Sequence, residues 1–281
     1  MFRGWLAAAV ISLSCVGAAS ASERPGYVAL GSSFASGPGV AERAEPGPCS
    51  RSTANYPRLL ARQRGLSLID VSCAGATTKD VLRGGQNGLG PQLDAVTADT
   101  RLVTVTIGGN DVYYSRAFGA LACQKRTDLA EERRKGCVAA TPEQVERGFA
   151  MLQGGLREIA SGVHARAPEA RLIFVGYERV LPERGTCPDL ALTDAEADEL
   201  RAVADRLDAV TAEAARAEGA EYLATSRLSL GHDACAADPW INGIVPSWSP
   251  DTWSAAPFHP NAKAMASIAR ALDRMIAHKP R

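Results

Sequence analysis

Five short apolar, β-branched runs recur along the chain, at 27–30, 66–71, 102–107, 172–175 and 221–224, with helical periodicity between them. Strands alternating with helices imply a parallel sheet, because a parallel crossover needs a connection long enough to be a helix, and the helices then cover both faces. The clearest helical stripe is Val145, Phe149, Leu152, Leu156, Ile159 and Val163, spaced alternately by four and three residues. It opens with Thr141-Pro142-Glu143-Gln144, a capping box with proline at the first helical position. A second helix opens with Thr193-Asp194-Ala195-Glu196 and carries Leu200, Val203, Leu207 and Val210 on one face. A last one starts near Ala262 and turns Met265, Ile268 and Leu272 inward. With no proline-rich linker and no internal repeat, the reading is a single three-layer α/β/α domain around a central five-stranded parallel sheet. Two stretches, 111–140 and 226–258, break the alternation. Loops that long in a compact domain are functional or specially stapled.

The first 21 residues differ from the rest. Arg3 precedes the apolar run 6–16, which is followed by the small-residue stretch Ala19-Ser20-Ala21. A positive start, a short apolar stretch and a small-residue exit predict a secretory signal peptide over 1–21 and a mature domain over 22–281. A stable membrane anchor needs about 20 apolar residues, and this run is shorter. Arg3 is the one charged residue removed, so the balance of 31 basic and 31 acidic residues becomes a surplus of one acid. That balance leaves no electrostatic footprint for nucleic acid or an anionic membrane. Of the seven cysteines, Cys15 lies in the leader. The even set that remains, Cys49, Cys73, Cys123, Cys137, Cys187 and Cys235, suggests three disulfides in an exported protein, in one of fifteen connectivities. No Cys-x-x-Cys or paired-histidine spacing supports a zinc site, so no metal is expected.

In open parallel sheets the ligand site lies beyond the carboxyl ends of the strands. After the first run comes Gly31-Ser32-Ser33-Phe34-Ala35-Ser36-Gly37, and after the second Ser72-Cys73-Ala74-Gly75-Ala76-Thr77-Thr78. The third ends in Ile107-Gly108-Gly109-Asn110-Asp111. Each alone is an ordinary turn. Together, three strand ends with small residues and a hydroxyl or amide suit a serine nucleophile beside N–H donors for an oxyanion. No glycine-rich phosphate loop follows the first strand.

A serine also needs a base. His164 ends a helix as a surface residue, His278 lies in the tail, and His232 sits in a cysteine-containing loop. His259, in Pro257-Phe258-His259-Pro260-Asn261, closes the second long stretch just before the last helix, and Pro260 restrains the backbone around it.

These blocks resemble the SGNH hydrolases, the GDSL esterase/lipase family. They occur in that family's order: Leu30 to Gly37, Cys73 to Thr77, Ile107 to Asp111, then His259-Pro260-Asn261. The resemblance implies a flavodoxin-like SGNH hydrolase fold with Ser33 as nucleophile, His259 as general base and no cofactor. It implies an oxyanion hole made by the Ser33 N–H, the Gly75 N–H and the Asn110 amide. It also implies disulfides between sequence neighbours: Cys49–Cys73, Cys123–Cys137 and Cys187–Cys235. Two positions depart from the family pattern. Ser32 replaces the usual Asp before the nucleophile, and Ala256 replaces the usual Asp three residues before the histidine. The Ala256 main-chain carbonyl is therefore expected to orient the imidazole, giving a Ser-His dyad, with Asp251 or Asp233 as the alternative carboxylate.

The expected protein is a secreted or periplasmic monomer that hydrolyses small-molecule or lipid carboxylic esters through an acyl-serine intermediate. Tyr113, Tyr114, Phe118, Trp240, Trp248 and Trp253 in the two long stretches are read as an apolar acyl-binding rim. A carbohydrate O-deacetylase of the same fold is the alternative enzyme, separable by comparing acyl chain lengths with acetylated glycans. A catalytically inactive exported binding module is the alternative of a different class, separable by fluorophosphonate labelling of Ser33.

Overall fold

The computed structural model describes residues 1, 26–245 and 253–278. The predicted signal peptide beyond residue 1, with Cys15, lies outside the described residues, as do Trp248 and Asp251. In chain order the elements are β1 (Gly26–Gly31), α1 (Ser33–Ser36), α2 (Tyr56–Arg64), β2 (Ser67–Asp70), α3 (Thr78–Arg83), β3 (Thr100–Thr106) and α4 (Tyr114–Gln124). They continue with α5 (Glu131–Lys135), α6 (Pro142–Arg166), β4 (Arg171–Val175), α7 (Asp194–Ala217), β5 (Glu221–Leu223), α8 (Thr225–Leu228) and α9 (Ala262–Ala277). The five strands pair in parallel in the order β2-β1-β3-β4-β5. The chain leaves β1 in one direction along the sheet for β2 and in the other for β3. The carboxyl ends of β1 and β3 therefore flank the point where the winding reverses, where such sheets open a crevice.

Strand alternation divides the core into two layers. Val28, Leu30, Val103, Val105, Leu172 and Phe174 face one side and pack under α3, α4, α6 and α7. Tyr27, Ala29, Leu102, Ile173 and Val175 face the other, under α2 and α9, with Tyr56, Leu60, Met265, Ile268 and Leu272. The predicted stripe of α6 is buried at Phe149, Leu152, Leu156, Ile159 and Val163, with Val145 half-buried at its start. The predicted capping box at Thr141 is formed, and Thr193 forms another at the start of α7.

The differences are local. The run 66–71 shortens to the edge strand β2, because the Leu66 N–H closes the end of α2 by donating to the Ala61 carbonyl. The stretch 111–140 holds two helices, α4 and α5, rather than a loop. The start of α4 carries no capping side chain, and its first boundary residue is Tyr113 in the left-handed region (φ 60°), so no sequence signal marks it. The disulfides join Cys49 to Cys73, Cys123 to Cys137 and Cys187 to Cys235.

Candidate active site

β1 ends at Gly31, and the chain turns at once into the single helical turn α1, so Ser33 stands at the carboxyl end of β1, between β2 and β3 in the sheet. Opposite it, a short ladder fixes the loop that carries His259. The Phe258 N–H donates to the Asn242 carbonyl, the Asn242 N–H to the His259 carbonyl, and the Asn261 N–H to the Trp240 carbonyl. Asn261 then caps α9 through its side chain. The result is a 2.8 Å contact between His259 Nε2 and Ser33 Oγ.

His259 Nδ1 lies 2.7 Å from the Pro257 carbonyl oxygen. A carbonyl can only accept, so Nδ1 carries the hydrogen and Nε2 presents its lone pair to the serine. This corrects the expectation for Ala256: its carbonyl accepts instead from Asn242 Nδ2, at 3.0 Å. The cause is Phe258, whose positive φ of 59° folds the chain so that the carbonyl two residues before the ring, not three, reaches Nδ1. Asp233 is turned to the Cys235 N–H, at 2.9 Å. His232 stacks on Trp240 and meets the Asp238 carbonyl, away from Ser33. Removal from water pulls the His259 pKa below the ordinary imidazole value, and the bond to Pro257 opposes this only in part.

The other two blocks close on the same place. The Cys73 N–H donates to the Gly31 carbonyl and the Ala74 N–H to the Cys49 carbonyl, which brings Gly75 to the end of β1. Gly75 has φ +87°, and an added Cβ would come within 3.2 Å of Gln86 Nε2, so glycine suits the position twice over. Asn110 Nδ2 donates to the Ala76 carbonyl at 2.9 Å, which orients its amide beside Gly75. Asp111 accepts from the Thr78 N–H and hydroxyl and so ties the third block to α3. Burial nevertheless pushes its carboxyl above the usual range. Among the described residues no cluster of His, Cys, Asp and Glu could hold a metal ion.

Several residues at this end carried no sequence signal. Gln92 brackets Gly31, accepting from its N–H at 2.7 Å and donating to its carbonyl at 3.0 Å. Tyr177, just past β4, accepts from the Gly109 N–H at 2.9 Å and pairs with Ser32 Oγ at 3.2 Å. Two of the expected rim aromatics belong to the core instead. Tyr114 and Phe118 are buried, Phe118 stacking on Phe258, while Trp253 binds the Ala41 carbonyl and lies under Arg43.

The sequence profile of the GDSL-like lipase/acylhydrolase family matches residues 29–266. The chain belongs to that family. Among its relatives, "Lipase 2" of Streptomyces coelicolor is 38% identical over 248 residues, covering 84% of this chain and 80% of the relative. The crystal structure of phospholipase A1 from Streptomyces albidoflavus superposes with a TM-score of 0.71 at 29% identity, covering 89% of this chain and 99% of that one. The extracellular lipase of Streptomyces rimosus gives 0.69 at 27% identity, covering 88% and 98%. This GDSL-like acylhydrolase is thus an SGNH-type ester hydrolase of the lipase/esterase class, with the parallel α/β fold of those enzymes.

Proposed function

We propose that this acylhydrolase is an exported serine esterase working with a Ser33–His259 dyad. Ser33 Oγ attacks the ester carbonyl carbon as His259 Nε2 takes its proton. The imidazolium returns that proton to the alcohol oxygen as the C–O bond breaks, leaving an acyl-serine. Water then attacks the acyl carbon by the same proton route, and Ser33 leaves with its hydrogen restored. The Ser33 N–H, the Gly75 N–H and the second amide hydrogen of Asn110 hold the oxyanion, where losing one donor costs about 10²–10³ in turnover.

The observation that carries this reading is the 2.8 Å Nε2–Oγ contact, with the opposite ring nitrogen already committed to a fixed acceptor. Export is supported by the signal-like leader and three disulfides, which persist in oxidising compartments. Among the described residues no helix is long and apolar enough to cross a membrane. The substrates are lipid or small acyl esters, the class for which the Streptomyces relatives are named.

The test is covalent labelling by a fluorophosphonate together with hydrolysis of nitrophenyl esters of graded chain length. Ser33→Ala and His259→Ala are expected to fall to background in both assays, with the Ser33→Ala melting temperature close to wild type. An active Ser33→Ala protein would refute the assignment. A preference for acetylated glycans over all nitrophenyl esters would move the substrate to the deacetylase class.

A further inference from the structure

Tyr177 joins two turns that the proposed chemistry needs held together. Its hydroxyl accepts from the Gly109 N–H, adjacent to Asn110, and reaches Ser32 Oγ, adjacent to Ser33. An oxygen already accepting from an N–H uses its own hydrogen on the next acceptor. Ser32 Oγ in turn lies 3.4 Å from the Thr106 carbonyl. The hydrogen bonds therefore run in one direction, from Gly109 through Tyr177 and Ser32 to Thr106, and link the ends of β4, β1 and β3. Burial pushes the Tyr177 pKa up to about 12, so the hydroxyl keeps its hydrogen over the range in which an esterase works.

The ring is held as closely as the hydroxyl. A Cβ built on Gly109 would lie 2.8 Å from the Tyr177 ring, so the ring packs flush against that backbone. Tyr114 meets the ring edge-on at 6.4 Å between centroids, and Phe34 lies at 4.6 Å, itself 5.2 Å from the His259 ring. Tyr177 thus bonds to the residues just before the nucleophile and the amide donor and packs on the ring that lies beside the base.

We propose that Tyr177 is a positioning residue that sets the separation of the Ser33 turn from the Asn110 turn through its paired bonds to Ser32 and Gly109. This rests on the reading of Ser33 as nucleophile and Asn110 as oxyanion donor. Ser32 is then the second half of one device rather than a spare hydroxyl beside the nucleophile.

The test uses the full mature chain with Tyr177→Phe, Ser32→Ala and the double variant. Competent serines are counted by fluorophosphonate titration, and steady-state kinetics use a short-chain nitrophenyl ester. Tyr177→Phe keeps the ring and removes one oxygen. It is expected to lower kcat per titrated site about ten- to a hundredfold, the scale of small misplacements, with KM within about twofold. Ser32→Ala is expected to lose less, and the double variant no more than Tyr177→Phe alone. A Tyr177→Phe protein with a lower melting temperature but unchanged kcat per titrated site would reduce the residue to a structural role. Loss in the double variant equal to the product of the single losses would break the link to Ser32. A wild-type chain that takes no label would bring down the nucleophile assignment, and the proposal with it.

Discussion

At the scale of single residues the site turns on one acceptor. His259 is oriented by a main-chain carbonyl, which holds the tautomer but carries no charge to steady the imidazolium. Desolvation lowers the pKa, and the bond to the Pro257 carbonyl offsets only part of that. The base works only when unprotonated, so a lowered pKa extends activity toward acid. The acid limb of kcat/KM is expected below the ordinary histidine value of about 6.5; a limb at or above it would contradict the geometry. With Nδ1 already satisfied, Asp251→Asn and Asp233→Asn should each change turnover by less than about tenfold, under ~1.4 kcal/mol of barrier. A loss near ~10⁴-fold in either would reveal a third triad member. The sequence identified the right segment for this acceptor and missed by one residue. The proposed site residues Ser33, Gly75, Asn110 and His259 could be named because they sit where strand ends or a helix start can be counted and because their blocks resemble the family's. Which carbonyl meets the ring depends on a positive φ at Phe258, a residue type that gives no notice of it.

At the scale of elements, the blocks are set by how strand ends are tied. The Cys49–Cys73 bridge lies beside the paired amides that bring Gly75 to β1, whereas Cys123–Cys137 spans the α4–α5 excursion. Replacing either pair by alanine should cost roughly 2–4 kcal/mol in denaturant titrations. Only loss of the first pair should also depress turnover per folded molecule, and equal kinetic effects would argue against that division. Thr141→Ala should cost about 1 kcal/mol through its lost cap on α6 and leave kcat alone. The long helices were readable because stripe and cap agreed, as at Thr141 with Phe149 and Leu152. α4 was not, because it starts without a capping side chain, and its Tyr114 and Phe118 read as rim aromatics when they are core.

For the whole molecule, the buried group to follow is Glu178. It lies three residues past β4, is 2% exposed, and neither carboxylate oxygen has a hydrogen-bond partner among the described residues. Burial raises its pKa to about 8 from an ordinary value of 4.5. The unfolded chain releases this proton near pH 4.5 and the folded chain only near pH 8, so the folded state binds more protons in between. Stability therefore falls as pH rises across that window. Glu178→Gln should remove this slope and melt higher than wild type above pH 8; parallel melting curves against pH for the two proteins would contradict the assignment. The parallel sheet followed from alternating runs and helices, but nothing in that alternation announced an unpartnered carboxyl just past β4.

All three disulfides attach to segments that follow strand carboxyl ends or precede the helices starting there. No disulfide joins the strands beneath them. In a thiol buffer the molecule should therefore come apart by tiers. Amide exchange would quicken first around 49–75, 123–142 and 187–235, while the amides of β1 and β3 stay at the global limit. A chain made in a reducing cytosol would then show the circular dichroism of a finished fold and a poor yield of titratable serine, and reoxidation would recover catalysis with no refolding of the sheet.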